Sequence, residues 1–150
     1  MSESLVGRQG APFHMVVERG KIREFARATK SSNPDYLEGE HPLSPVTFLS
    51  VAGFWQDESN SPWGDAGTRN YERILHGEQE FAFFGQPPRA GAVLTGVSRI
   101  DRVYEKAGRR GGSMQFTETV TEFRDEAGQL VAESRTTVIE TGQAPAGDAS

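Results

Sequence analysis

Cysteine is absent from the 150-residue sequence. Its absence excludes a disulfide framework, a thiolate nucleophile and any cysteine-ligated zinc or iron–sulfur site. Histidine is scarce, because His14, His41 and His76 are the only imidazoles, so a base that titrates near neutral pH has few candidates. These histidines lack the spacing of metal ligands, and the sequence has neither an HxxxH motif nor an aspartate-rich loop. We therefore expect no metal site.

Long apolar runs and an excess of positive charge are missing as well. No segment approaches the roughly 18 apolar residues of a membrane span, and the N-terminal MSESLVGRQG has no signal-peptide core. The chain carries 21 acidic and 16 basic residues, a formal net charge of -5 at pH 7, which disfavours binding to polyanions. We expect a cytoplasmic protein whose partner is a small molecule or another protein, not nucleic acid or a membrane.

What the sequence does contain is an ordinary globular composition, with 35% hydrophobic and 25% charged residues. A chain of this length has room for one domain. Residues 1–12 and 143–150 are polar and turn-rich, so we expect a loose N-terminus and a flexible tail around a folded domain at 13–142.

Residues 18–29, ERGKIREFARAT, predict an amphipathic helix that follows an apolar first strand at 13–17. The apolar face of this helix comprises Ile22, Phe25, Ala26 and Thr29. The helix should end between Ser31 and Pro34, because Ser and Asn compete for backbone hydrogen bonds and proline disfavours helical geometry in the preceding residue. A polar loop is expected to follow.

A second helix should begin at Ser44-Pro45, where serine can cap the first turn and proline suits the first helical position. Apolar side chains then cover nearly its whole circumference: Val46, Phe48, Leu49, Val51, Ala52, Phe54 and Trp55. This pattern is typical of a helix that is buried on all sides. The next residues, 56–70, have loop composition, with Trp63 as a candidate anchor.

From Arg73 onward the sequence alternates with a period of two. In residues 74–84 the alternation places Leu75, Gln79 and Phe81 on one face and His76 on the other. Three further β-branched segments, 92–106, 113–123 and 129–140, are separated by GRRGG and DEAG turns. We predict an α+β fold in which a curved antiparallel sheet wraps around the central apolar helix. The rival is a cone-shaped fold of the ketosteroid isomerase type.

Two stretches carry a resemblance to a known family: FARATKSSNPDY at 25–36, and RILHGEQEFAFFGQPPRAGAVLTGVSRIDRVYEK at 73–106. Together with the Ser-Pro-initiated apolar helix between them, they resemble MaoC-like dehydratases. The similarity is closest to the N-terminal, FAS1-like type, which includes the non-catalytic subunits of heteromeric 3-hydroxyacyl dehydratases. The resemblance spans residues 13–141 and implies a hotdog fold.

The hydratase motif of that family has the form Gly-Asp-x-Asn-Pro-x-His. Its aspartate and histidine deliver water across an enoyl thioester by general acid–base catalysis. Ser31 stands here at the aspartate position and Tyr36 at the histidine position, while Asn33-Pro34 is retained. Neither replacement is a useful base at neutral pH. Pro45 also lacks an N–H at the helix start, where the family polarises the thioester carbonyl, although Val46 can still donate.

The resemblance therefore implies a subunit of an (R)-specific enoyl-thioester hydratase, or in reverse a 3-hydroxyacyl-thioester dehydratase. A second hotdog chain, in a heterodimer or heterotetramer, would supply the Asp/His dyad, and the substrate would be carried on CoA or an acyl carrier protein without a further cofactor. No catalytic residue is assigned to this chain. The expected substrate-binding residues are Ser31, Asn33, Tyr36, Ser44 and Thr47, with Phe48 bordering the acyl chain.

Two other functions remain open at this point. One is a homodimeric hotdog that binds acyl-CoA or another hydrophobic ligand without chemistry. The other is an acyl thioesterase, which needs a carboxylate or a polar residue that activates water on or near the central helix. Residues 44–56 offer only Ser44, Thr47, Ser50 and Gln56 before Asp57 and Glu58.

Three local features also have alternative interpretations. The basic stretch Arg99–Arg110 is either a solvated face or a binding site for CoA phosphates or for an acidic carrier protein. Asp35 is either a shifted carboxylate or a solvated loop residue. The role of loop 57–70 is open.

Overall fold

The computed structural model describes residues 4–64, 71–109 and 112–142. The expected tail at 143–150, part of the expected loose N-terminus, the end of loop 57–70 and Arg110 of the basic stretch lie outside these residues. Within the described ranges, no helix is long and apolar enough to cross a membrane.

An antiparallel sheet is the largest secondary-structure unit of the described chain. Its strands are β1 (Phe13–Val16), β2 (Ile74–Phe83), β3 (Val93–Ala107), β4 (Ser113–Arg124) and β5 (Leu130–Thr141). The described sheet has five strands in the order β1-β3-β4-β5-β2, with antiparallel pairing throughout. The β-branched segments therefore form strands as predicted. β2 lies at one edge of this sheet and β1 at the other.

The helices are short. They are α1 (Arg19–Ala28), α2 (Pro34–Leu37), a 3-10 helix at Phe48–Trp55 that we call the central helix, and 3-10 turns at Glu58–Asn60 and Tyr71–Arg73. α1 ends a few residues before the expected position, because Lys30 adopts a positive φ of 56° and the Ser31 N–H donates back to the Ala26 carbonyl. Asn33 then caps α2, so Asn33-Pro34 begins a helical turn where a loop was expected.

The core lies between one face of the sheet and the two longer helices. The sheet contributes Phe13, Met15, Leu94, Phe123 and Ala132, α1 contributes Ile22 and Ala26, and the central helix contributes Phe48, Leu49 and Ala52. Two edge-to-face ring pairs tie these layers together, Phe13 with Phe123 at 6.2 Å and Phe25 with Phe48 at 5.7 Å between centroids. We call this core-facing side of the sheet the inner face.

The central helix differs from the prediction in two respects. It begins at Phe48, because the chain at Ser44 is held in a loop where the Ser44 N–H donates to the Pro88 carbonyl. It is also not buried on all sides, since Phe54 is 77% exposed and Val46, just before the helix, is 57% exposed. The expectation of a fully buried helix was wrong for this chain by itself, because an apolar pattern does not specify what covers each side.

A β-bulge at Gly77 changes the face of the first residues of β2. The register shifts between His76 and Glu78, so that two residues of β2 span one step of β5. Glycine fits there because an added Cβ would lie 2.9 Å from the Ile139 side chain. The predicted alternation was therefore wrong for two residues: His76 shares the inner face with Gln79, and Leu75 points to the opposite face.

The packing of β1 on β3 provides a test of the core. A Cβ at Gly96 would overlap the Phe13 ring, whereas nothing lies within 4 Å of a Cβ at Gly53 in the central helix. We expect Gly96→Ala to lower the free energy of unfolding by about 1–3 kcal/mol, as overpacking does, and Gly53→Ala to change it by less than about 1 kcal/mol. Urea unfolding of both variants measures this difference. Equal stability of the two variants would contradict the described packing of β1.

Candidate functional site

Of the two residues at the positions of the family's dyad, Ser31 lies in the turn between α1 and α2, and Tyr36 lies in α2. The Asn33 N–H donates to the Ser31 Oγ at 3.3 Å, and the Asp35 N–H donates to the Asn33 Oδ1 at 3.0 Å. Tyr36 is half-buried and packs against the core cluster. The turn is thus ordered by its own side chains, and the positions of Ser31 and Tyr36 are set by local hydrogen bonding and by packing.

No general acid–base pair is present in this turn. Asp35 is exposed and lies outside the Ser31–Asn33 hydrogen bond, which favours the interpretation of a solvated loop residue. His41 uses its Nδ1 on the Ala90 carbonyl at 3.0 Å, and His14 lies at the far edge of the sheet, with its Nδ1 3.2 Å from the Thr95 Oγ1. Both imidazoles therefore have other contacts.

The remaining expected binding residues lie in different environments. Ser44 is 1% exposed, and its hydroxyl has no hydrogen-bond partner among the described residues. Thr47 is exposed at the start of the central helix, while Phe48 is fully buried against Phe25. The structure thus places Tyr36 and Phe48 on one core cluster and leaves Thr47 on the surface. Their assignment to substrate binding stays a prediction.

A cavity of about 450 Å³ lies between the central helix and the inner face of β2 to β5. Its helix side is formed by Leu49, Ser50, Ala52, Gly53 and Gln56, its loop side by Ser61, Pro62 and Trp63, and its sheet side by His76, Gln79, Ser98, Thr119, Thr121, Phe123, Ser134, Thr136 and Val138. None of the expected binding residues lines it. Trp63, a candidate loop anchor, is half-buried in its wall.

Most of the sheet side of this cavity is polar. Gln79 is its central residue: its amide nitrogen donates to the Ser134 hydroxyl at 2.7 Å, and its amide oxygen accepts from the Thr136 hydroxyl at 2.9 Å. The Ser98 and Thr121 hydroxyls pair at 2.7 Å. Sequence reasoning missed this network. The signal was present, because Ser and Thr occupy alternate positions of three neighbouring strands where apolar residues are usual.

The opposite face of the sheet holds the strand part of the basic stretch, where Arg99 and Arg102 are paired with acidic side chains. Arg99 lies 3.3 Å from Glu122 and 3.5 Å from Asp101, and Arg102 lies 3.4 Å from Glu118. Lys106 lies over the stacked rings of Tyr104 and Phe116 at 5.3 and 4.9 Å from their centroids. This arrangement favours a solvated, internally compensated face for Arg99 and Arg102.

The strongest ion pair of this face joins Arg135 to Asp101 at 2.7 Å. The hydrogen bond from Arg135 lowers the pKa of the Asp101 carboxyl below its ordinary value, and burial opposes the shift. No group of three or more potential metal ligands occurs within residues 4–64, 71–109 and 112–142.

A family model described as FAS1-like, dehydratase domain region, matches residues 4–134. A UPF0336 protein of Streptomyces coelicolor is 33% identical, and the alignment covers 93% of this chain and 94% of that protein.

Solved structures show the same fold. A chain of the HadBC complex, a 3R-hydroxyacyl-ACP dehydratase from Mycobacterium tuberculosis, superposes with a TM-score of 0.71 and 21% identity, covering 92% of this chain and 99% of that chain. A chain of the ChsH1–ChsH2 complex from the same organism gives a TM-score of 0.71 and 16% identity, covering 93% of this chain and 87% of that chain. The predicted hotdog fold is confirmed, and the cone-shaped alternative is excluded.

The Asp101–Arg135 pair predicts a dependence of stability on pH. Because the folded state lowers the Asp101 pKa, the stabilisation is present above the unfolded pKa of about 3.9 and is lost as the pH falls through the lower folded value. We expect Asp101→Asn to reduce the free energy of unfolding at pH 7 by up to about 1 kcal/mol, and the difference from wild type to shrink below about pH 4.

Urea unfolding at pH 7 and at low pH measures this effect. Glu126→Gln, which removes an exposed carboxylate in the β4–β5 turn, is the matched control. An Asp101→Asn deficit that is the same at both pH values would contradict the assignment.

Proposed function

Because this chain belongs to the FAS1-like dehydratase domain family, we propose that it is one subunit of a heteromeric (R)-specific enoyl-thioester hydratase, or in reverse a 3-hydroxyacyl-thioester dehydratase. A second hotdog subunit supplies the aspartate and histidine. The observation that carries the proposal is the exchange at Ser31 and Tyr36 within a turn that otherwise keeps the Asn-Pro centre of the motif. In this proposal the complex acts on cytoplasmic acyl thioesters.

Hydration of an enoyl thioester requires two proton transfers. A base removes a proton from water as its oxygen bonds to Cβ, and an acid delivers a proton to Cα. The Ser31 hydroxyl already accepts the Asn33 N–H, and a phenol with an unperturbed pKa of about 10 is a poor base at pH 7. A chain with this turn positions substrate but does not activate water.

The exposed apolar side chains support a partner beside the central helix. Five of the exposed large hydrophobic residues belong to the central helix, to β2 or to positions within three residues of these elements in sequence: Val46, Phe54, Tyr71, Leu75 and Phe84. An apolar surface of this kind on a small chain typically marks an interaction site. The helix pattern that indicated burial on all sides is then satisfied by the second subunit.

The open edge of β2 also supports this location for the partner subunit. It is an edge strand that pairs with β5 on one side only, and an open edge is a template for pairing with another chain. A partner sheet joined at β2 would cover Leu75 and lie beside the cavity that opens at His76 and Gln79. In this arrangement Ser31, Asn33 and Tyr36 help to line the shared site.

The proposal predicts that activity requires two different chains. We expect the purified chain to show no turnover of crotonyl-CoA or a longer enoyl-CoA, and its complex with a second hotdog that carries an intact Asp-x-Asn-Pro-x-His run to hydrate both. Spectrophotometric loss of the enoyl thioester measures this. Robust turnover by the chain alone would refute the proposal.

A stable homodimer that retains an acyl ligand and forms no active complex would favour the binding-protein alternative, and release of free CoA would favour a thioesterase.

A paired substitution locates the interface. We expect Phe54→Glu to weaken assembly with the partner by at least about tenfold, because it places a charged side chain in an apolar contact. Val16→Glu, which replaces an exposed apolar side chain on the opposite edge strand β1, is the matched control and should assemble normally. Size-exclusion chromatography with light scattering reports assembly. Loss of the complex with Val16→Glu but not with Phe54→Glu would place the partner at the β1 edge.

A further inference from the structure

The inner face of the sheet is divided into two chemically different halves. The half under α1 and Phe48 is apolar and closely packed, with Phe13, Met15 and Leu94 buried. The half under the end of the central helix carries hydroxyl and amide groups and borders the cavity. Placing polar groups on the inner face of a sheet is unfavourable unless they are hydrogen-bonded. Core packing therefore does not account for the polar half of the inner face.

Some hydroxyl protons of these polar side chains have no hydrogen-bond acceptor among the described residues. Both amide protons of Gln79 are used, on the Ser134 hydroxyl and on the Arg135 carbonyl at 3.3 Å. The Ser134 hydroxyl only accepts, so its own proton has no acceptor among the described residues. The Ser98–Thr121 pair uses one of its two hydroxyl protons. Thr119 lines the cavity without a hydrogen-bond partner in the described ranges.

These uncommitted donors face one space. At least three hydroxyl protons, those of Ser134, Thr119 and one of the Ser98–Thr121 pair, are available at the cavity wall. The apolar part of the lining, Leu49, Phe123 and Val138, can contact a carbon skeleton around them. A volume of about 450 Å³ lies in the range of small-molecule sites. The lining therefore complements a ligand that has both a carbon skeleton and an oxygen acceptor.

We propose that this cavity binds the acyl part of the substrate and selects acyl groups that carry a hydroxyl or carbonyl oxygen away from the thioester. The assignment rests on the proposed function, since it makes the cavity the acyl-binding part of the site that this chain shares with the partner subunit. In this assignment Leu49 and not Phe48 contacts the acyl group, because Leu49 lines the cavity and Phe48 does not. Ser134 and Thr119 are the specificity-determining residues.

The test compares two saturated, unreactive thioesters, octanoyl-CoA and ω-hydroxyoctanoyl-CoA, for binding to the purified chain. Trp63 in the cavity wall provides the fluorescence signal. We expect the hydroxylated thioester to bind about tenfold more tightly, in line with donation from one or two neutral hydroxyls. Equal affinity, tighter binding of octanoyl-CoA, or no saturable signal with either thioester would overturn the proposal.

Three isosteric or smaller variants localise the effect. Thr119→Val removes a hydroxyl that has no partner among the described residues, so it should preserve the fold. Ser134→Ala removes the acceptor of Gln79. We expect each to reduce the preference for the hydroxylated thioester by about threefold or more. Thr95→Val, on the other face of β3 beside His14, should leave the preference unchanged, and an equal reduction in this control would overturn the assignment.

This measurement needs neither the partner nor turnover. A complex that hydrates crotonyl-CoA, together with a chain that shows no preference between the two thioesters, would refute the cavity assignment and leave the proposed function intact. A clear preference in the chain, together with an inactive complex, would support the cavity assignment and refute the dehydratase proposal.

Discussion

The central helix contacts the inner face of the sheet through one narrow stripe, and much of the molecule depends on that contact. Phe48, Leu49 and Ala52 are its only buried residues within the described chain. A 3-10 helix rises more steeply and has three residues per turn, so this stripe is short. The helix therefore packs closely on one part of the inner face, and a cavity remains between the helix and the rest.

Two properties of the molecule follow from this partial fit. On the sheet side, the space left beyond Leu49 becomes the cavity, and its wall carries the polar side chains centred on Gln79. At the surface, Phe54 of the central helix and Val46 just before it remain exposed. Filling the cavity with larger side chains and lengthening the helix would remove both. The same short contact thus accounts for the cavity and for the exposed apolar side chains of the helix.

The sequence predicted those elements whose signal is local. The 3.6-residue period of α1 and the two-residue period of β3, β4 and β5 are decided by side chains within each segment, and these elements formed as expected. The turn with Ser31 and Tyr36 was recognisable because its residues are adjacent in sequence. Features that depend on distant chain segments were predicted poorly. The exposure of Phe54 depends on the number of neighbours that cover the helix, and the inward position of His76 depends on one bulge residue, Gly77.

The polar lining of the cavity also depends on chain segments that are distant in sequence. Ser98, Thr121 and Ser134 lie far apart in sequence and meet only because the register of β3, β4 and β5 aligns them. Each is unremarkable by itself, since serine and threonine are common on solvent-facing strand positions. Their role depends on the face of the sheet that they occupy. Sequence alternation predicts that face in a long strand only when the positions of its β-bulges are known.

The proposed division of tasks between two chains gives these observations a common physical basis. A dyad that adds water to an enoyl group needs one ordered water molecule, and surplus hydroxyl donors beside it would compete for that water and for the developing charge. A chain without the dyad is free of that constraint at its inner face. The exchange of the acid–base residues for Ser31 and Tyr36, and the collection of hydroxyls around Gln79, are then related features. In the proposed complex, proton transfer belongs to one subunit, and recognition of the distal acyl group belongs to this one.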